Sequence, residues 1–226
     1  MCFALPCFDM KYDTILFDLD GTLTDSADGI INSIVHALKH YGLPHDDREA
    51  LRRFVGPPLP EAFERYCGFS PEKAKEAVAV FREYFSEIGI FENTVYEGVP
   101  EMLGTLKEAG FTLAVATSKP EVFAERILAR FDLAKYFTAV AGATMDEKRT
   151  NKAEVIRYAL EKLGGREHSR VLMVGDREHD ILGAKAVGLD SLGVLYGYGD
   201  RAELTAAGAD LLAQTPADIC RLITQK

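Results

Sequence analysis

FDLDGTLTDS, residues 17–26, is the stretch from which the rest of the chain is read. It is entered through Ile15, Leu16 and Phe17, within Tyr12 to Leu19, a short apolar run without alternation that predicts a strand buried on both faces. The strand ends in two acids, Asp18 and Asp20. Gly21 and Thr22 follow, and predict a tight turn that offers backbone N–H donors.

Four later runs have the same character: Thr112 to Ala116, Thr138 to Ala141, Val171 to Val174 and Ser191 to Leu195. They alternate with helical patterns, which predicts an α/β fold with a parallel sheet and crossover helices. The helices are punctuated: Pro120 fits a first turn, Gly110, Gly164 and Gly188 follow periodic segments as C-terminal stops, and Thr215 with Pro216 opens the last helix.

One stretch breaks the alternation. From Asp28 to about Val95 the pattern is helical, with Ala27, Ile30, Ile31, Ile34, Val35 and Leu38 recurring at three and four, and likewise Ala74, Ala77, Val78, Phe81, Phe85 and Ile88. Two shorter helices are expected between these, at Asp46 to Val55 and Pro60 to Cys67, separated by the turn Gly56, Pro57, Pro58. The chain therefore divides into an N-terminal extension at 1–10, a core at 11–27 and 96–226, and an inserted helical domain at 28–95. At 226 residues it has the length of one main domain with an appendage.

Composition narrows the partners. Lys plus Arg number 26 against 35 Asp plus Glu, a net charge of −9, which opposes a nucleic-acid polymer or an anionic membrane as partner. No apolar run approaches the length of a membrane span, and the opening MCFALPCFDM lacks the basic start of a secretion signal, so a cytoplasmic protein is expected. The cysteines at 2, 7, 67 and 220 form neither a disulfide framework nor paired CxxC motifs, so zinc is not expected and the thiols should be reduced.

In an open α/β sheet, ligands bind beyond the carboxyl ends of the strands. The first strand delivers Asp18 and Asp20 there, AVATSK delivers Thr117 and Ser118, and MVGDREHDI delivers Asp176 and Asp180. One acid after a strand is ordinarily a helix cap; four from converging strands need another explanation. Clustered carboxylates repel, so a divalent cation is their natural occupant, and an all-oxygen ligand set points to magnesium with positions left for water and a substrate phosphate. A remaining carboxylate can then attack phosphorus, while Ser118 or Thr117 and a lysine bind the transferring oxygens.

FDLDGTLTDS, ATSK, the lysine of RTNKAEVI and GDREHDI resemble, in order, the four motifs of the haloacid dehalogenase superfamily. The likeness covers nearly the whole chain after Met10, and it implies a Rossmann-like three-layer core. The helical insert is similar to the α-helical cap domain of the phosphoglycolate phosphatase-like branch, and some members resembling GDREHDILGAKAVG are 5′-nucleotidase-like. The resemblance implies that Asp18 is the nucleophile and a magnesium ligand. It implies that Asp20 is the general acid and base with its backbone carbonyl on the metal, and that Asp176 is a further metal ligand. It implies that Ser118, or else Thr117, binds the phosphoryl group, that Lys152 neutralises it in preference to Lys148, and that Asp180 holds a metal water or orients Lys152. Arg177 and His179 are expected as helix-start or surface residues.

Within the superfamily, carbon–halogen cleaving members lack an acid two residues after the nucleophile, so Asp20 favours phosphate esters. The expectation is a magnesium-dependent phosphatase acting on a small phosphoglycolate-like monoester, as a monomer or homodimer. The alternatives are a 5′-nucleotidase, a sugar phosphomutase, whose members share the acid pair, and a phospho-accepting signalling domain. The last matches the core alone, and the helical insert weighs against it. Arg52 and Arg53, just before the loop of Gly56, Pro57, Pro58 and Leu59, are the expected readers of a small acid's carboxylate. A nucleoside would instead use an aromatic wall from Phe54, Phe63 or Tyr66.

Overall fold

The structure, a computed structural model, describes residues 10–56, 58–146 and 148–224. Cys2 and Cys7 of the expected extension and Pro57 of the expected loop lie outside the described residues. The chain runs through β1 (Thr14–Phe17), β2 (Thr24–Asp25), α1 (Ala27–His40), α2 (Arg48–Leu51), α3 (Leu59–Cys67), α4 (Pro71–Phe85) and β3 (Thr94–Val95). It continues through α5 (Val99–Glu108), β4 (Thr112–Pro120), α6 (Glu121–Arg130), β5 (Ala139–Ala143), α7 (Lys152–Lys162) and β6 (Val171–Gly175). It closes with α8 (Glu178–Val187), β7 (Asp190–Val194), α9 (Arg201–Ala207), β8 (Leu211–Ala213) and α10 (Pro216–Thr224).

Six strands form one parallel sheet in the order β5-β4-β1-β6-β7-β8, so β1 sits between the strands that lead to Thr117 and Ser118 on one side and to Asp176 and Asp180 on the other. Every residue of β1 is buried, as its unalternating apolar run predicts. Side chains leave alternate faces. Ile15, Phe17, Leu113, Val115, Leu172 and Val174 pack on one side with α5, α6 and α10. Leu16, Ala114, Ala116, Val171 and Met173 pack on the other with α7 and α8. The result is helix, sheet, helix.

Between β2 and β3 the chain is helical, and β2 and β3 pair antiparallel as a two-residue ladder, Thr24 with Val95 and Asp25 with Thr94. Local signals set the helix limits. Ser70 accepts the Lys73 N–H at 3.3 Å with Pro71 in the first turn of α4, and Gly68 ends α3 in the left-handed conformation. Two expectations are corrected. The apolar stripe assigned up to Ile88 stops with α4 at Phe85, and Ile88 is exposed; a tight 3₁₀ turn at Gly89–Phe91 redirects the chain. Val95 lies in a strand, because the chain must return beside Thr24 to re-enter the sheet. Cys67 and Cys220 are free thiols, and among the described residues no helix is long and apolar enough to cross a membrane.

Candidate active site

Strand register builds the site. Phe17 lies level with Val115 on one neighbour and Val174 on the other, so Asp18 emerges one step beyond, beside Ala116 and Gly175. The Asp18 N–H donates to the Val174 carbonyl at 2.9 Å, which fixes where its side chain begins. The following turn folds back on itself: the Gly21 N–H donates to Thr24 O at 2.8 Å, and the Thr22 and Leu23 N–H groups both donate to Leu19 O. The N–H groups of Gly21 and Thr22, expected as backbone donors of a tight turn, are therefore taken inside the turn. The Thr22 hydroxyl donates to Asp176 Oδ1 at 3.3 Å instead. Gly21 has φ +81°, and a Cβ there would stand 2.2 Å from Asp176 Oδ2, so only glycine brings the turn against that carboxylate.

Lys152 opens α7, where the Asn151 side chain accepts the Ala153 N–H at 2.9 Å as the N-terminal cap. Its ammonium is buried. It sits 3.0 Å from Asp18 Oδ1 and 2.7 Å from Asp180 Oδ1, and donates to the Ala116 carbonyl at 3.1 Å. Burial works against the charged lysine, but the Asp18 and Asp180 carboxylates outweigh it and raise its affinity for the proton. The other oxygen of Asp180 accepts the Arg177 N–H at 3.1 Å, so one side chain both starts α8 and pins Lys152. Lys148, the competing lysine, is exposed and paired with Asp146 at 2.9 Å.

Carboxylate oxygens of Asp18, Asp176 and Asp180 lie within 4.8 Å of one another. Burial, then Asp180 and Asp18, push the Asp176 carboxyl well above the ordinary carboxylate range. Asp18 Oδ1 and Asp180 Oδ1 meet Lys152 without hydrogen-bond alignment, and Asp20 Oδ1 has no hydrogen-bond partner among the described residues. One ammonium against three buried carboxylates leaves charge that a divalent cation fits, and the donors are all oxygen. The Asp20 side chain is outside this trio.

The end of β4 is irregular. Its pairing with β5 runs from Ala116 with Ala141 to Pro120 with Ala143, so three residues on one strand face only Gly142 on the other. Thr117 is buried and its hydroxyl accepts the Lys119 N–H at 3.2 Å, whereas Ser118 is exposed and its hydroxyl has no partner among the described residues. Lys119, given no role above, turns inward: its ammonium lies 2.9 Å from Asp20 Oδ2 and 4.7 Å from the ring centre of Phe85 on α4. Sequence reading also missed two tyrosines after β7. The Tyr198 N–H donates to Asp176 Oδ2 at 2.8 Å, and its hydroxyl accepts the Ser26 N–H at 2.8 Å and donates to Asp25 at 2.9 Å. Tyr196 donates to Thr22 O at 2.9 Å. Their repeated glycine-flanked spacing in LYGYG, directly beyond a strand, was the available signal.

Arg52 and Arg53 line a cavity of about 430 Å³ together with Tyr66, Tyr198 and Arg177. Arg177, expected as a helix-start or surface residue, does start α8 but is half-buried and faces this cavity; His179 is exposed. The expected aromatic wall is corrected. Phe54 and Phe63 are buried, packed on each other at 5.7 Å and on Tyr66 and Phe69, so neither presents a face to a ligand. Only Tyr66 reaches the cavity, and Arg53 lies over its ring at 4.8 Å. Phe63→Ala should accordingly act on stability, lowering it by about 3–5 kcal/mol in urea denaturation as large core truncations do. A loss below ~1 kcal/mol would contradict the packing, since a surface substitution costs about that or less.

The family described as "Haloacid dehalogenase-like hydrolase" matches residues 15–194. A protein of Pseudomonas aeruginosa named 5′-nucleotidase is 46% identical over 87% of this chain and 89% of its own length. A Vibrio parahaemolyticus protein named phosphoglycolate phosphatase is 31% identical over 92% of this chain and 95% of its own. The crystal structure of a predicted phosphatase from Clostridium acetobutylicum superposes with a TM-score of 0.89 at 45% identity, covering 94% of this chain and 98% of that one.

Proposed function

The chain belongs to the haloacid dehalogenase-like hydrolases and is a phosphoric monoester hydrolase, and from that premise we propose that it cleaves a small phosphoglycolate-like monoester with magnesium through an aspartyl phosphate. The observation that carries this is the Asp18 carboxylate at the end of β1, 3.0 Å from the buried Lys152 ammonium and within one cluster with Asp176 and Asp180.

In the proposed reaction an Asp18 oxygen attacks phosphorus as the bond to the leaving oxygen breaks, and Asp20 delivers its proton to that oxygen. Lys119 faces the carboxylate left on Asp20. Asp20 then takes a proton from water, which attacks phosphorus, releases inorganic phosphate and returns Asp18. Lys152 offsets charge on the transferring group, oriented by Asp180, and Thr117, whose hydroxyl is buried at the strand end, is the better placed partner for a phosphoryl oxygen than exposed Ser118. Magnesium, held by Asp18, Asp176 and the Asp20 backbone carbonyl, would supply further neutralisation of the phosphoryl charge. The helical segment 28–95 is proposed as a cap that closes over the core, excludes water and selects the substrate through Arg52 and Arg53.

A second proposal, 5′-nucleotidase activity, is favoured by the 46% identity to the Pseudomonas protein of that name. Phosphate release with magnesium, measured side by side on phosphoglycolate and a nucleoside 5′-monophosphate, separates the two. A higher kcat/KM for phosphoglycolate is expected, the opposite order would establish the second, and release from neither would remove both.

A further inference from the structure

We propose that Arg177 joins Arg52 and Arg53 in a second-anion site, so that the substrate is a phosphate ester carrying a further carboxylate or phosphoryl group. This rests on the phosphatase function proposed above and narrows its substrate class. Two separate segments bring three guanidinium groups to one cavity of about 430 Å³, a size suited to a small metabolite. Guanidinium forks match carboxylate and phosphate oxygens in pairs, and these three have ion pairs with only two carboxylates, Glu49 and Glu203, among the described residues.

Their present partners leave that capacity open. Arg53 has no carboxylate partner among the described residues and rests on the rings of Tyr66 and Phe54. Arg52 meets Glu49 at 3.0 Å, but both side chains are exposed, and such a pair contributes little and is readily exchanged. Arg177 is different, because Glu203 accepts from its Nε at 2.8 Å and also from the Glu178 N–H, which fixes the side chain while its two terminal nitrogens stay unpartnered among the described residues. One of them faces Gly56, where a Cβ would stand 2.3 Å away and where φ is +107°. The glycine thus lets the loop after Arg52 and Arg53 close onto Arg177, and all three charges converge at the seam between helical segment and core.

The cavity adjoins the phosphoryl site. Arg177 directly follows Asp176, and Tyr198, which lines the cavity, donates its N–H to the Asp176 carboxylate. An ester whose phosphate meets Asp18 therefore has its remaining part directed at the arginines. Phe54 and Phe63 are buried and Arg53 lies over the Tyr66 ring, so neither phenylalanine offers a nucleobase an open face.

Three esters of similar backbone test this with magnesium present: phosphoglycolate, ethane-1,2-diol bisphosphate and ethyl phosphate, which ends in a methyl group. The wild type should prefer one of the doubly anionic esters over ethyl phosphate by about 10- to 100-fold in kcat/KM, the range for hydrogen bonds to charged groups, and which one it prefers identifies the second anion. Arg177→Gln should reduce that ratio by about tenfold or more, and Arg177→Lys, which keeps the charge without the fork, should restore part of it. Because the ratio is taken within one preparation, partial misfolding does not imitate the result. Comparable hydrolysis of all three esters by the wild type, or a ratio unchanged in Arg177→Gln, would overturn the second-anion site alone. Hydrolysis of none would overturn the proposed phosphoglycolate-like substrate class and this inference with it.

Discussion

Asp18→Asn protein is expected to fold as the wild type does and to turn over phosphate esters at least ~10⁴-fold more slowly, the order of loss seen when a nucleophile is removed. The amide lacks both the charge and the lone-pair reactivity that the attack on phosphorus needs. Stability should not fall with activity. Lys152 keeps Asp180 at 2.7 Å as its counter-ion, and Asp176, whose carboxyl is pushed up by burial, Asp180 and Asp18, loses one repelling neighbour. The melting temperature of metal-free Asp18→Asn should equal or exceed that of the metal-free wild type. Asp20→Asn should differ in kind: with p-nitrophenyl phosphate, whose leaving group needs no proton, the first half-reaction survives better than the second, so phosphorylated enzyme accumulates and can be trapped by acid quench. Folded Asp18→Asn releasing phosphate near the wild-type rate would remove Asp18 from its proposed role.

What the sequence could and could not disclose follows from the range of the forces involved. A parallel sheet places all its strand ends on one edge, so the convergence of Asp18, Asp176 and Asp180 is reached by counting from apolar runs alone. Lys152 was found through its motif, and its burial between two carboxylates belongs to the packing of α7 against the sheet. Lys119 was out of reach because its inward turn depends on the shifted pairing between β4 and β5, which no local pattern encodes. The two-residue ladder of β2 with β3 and the three-residue β8 are too short for any periodicity to show. Phe54 and Phe63 stand beside a loop, where an aromatic reads alike whether it faces ligand or core; mutual packing decides, and it turned both inward. Arg177 follows the same logic in reverse, since a helix-start arginine is drawn into the cavity only by Glu203 and the close approach of Gly56.

Removal of divalent metal should abolish activity and also destabilise the fold, and the two effects share one electrostatic origin. Carboxylate oxygens of three buried acids crowd within 4.8 Å with a single ammonium beside them. Chelation is expected to lower kcat/KM by at least ~10³, matching the several kcal/mol that a metal contributes to charge stabilisation at a phosphoryl group. Added magnesium should restore it. Calcium should bind and inhibit, because its larger and more flexible oxygen shell would misplace Asp18 relative to phosphorus. A ligand present at ~100 times its dissociation constant stabilises the folded state by about 2.7 kcal/mol. For a chain of this size, that corresponds to a rise of roughly 5–10 °C in melting temperature. Asp176→Asn supplies the control that ties the rise to this site: with one repelling carboxylate replaced, the metal-free protein should melt higher than the metal-free wild type, while magnesium should shift it little. Full turnover after exhaustive chelation would show that Lys152 neutralises the phosphoryl group without a metal. An equal magnesium shift in Asp176→Asn would place the stabilising cation elsewhere, and either result would overturn the assignment of the metal to these carboxylates.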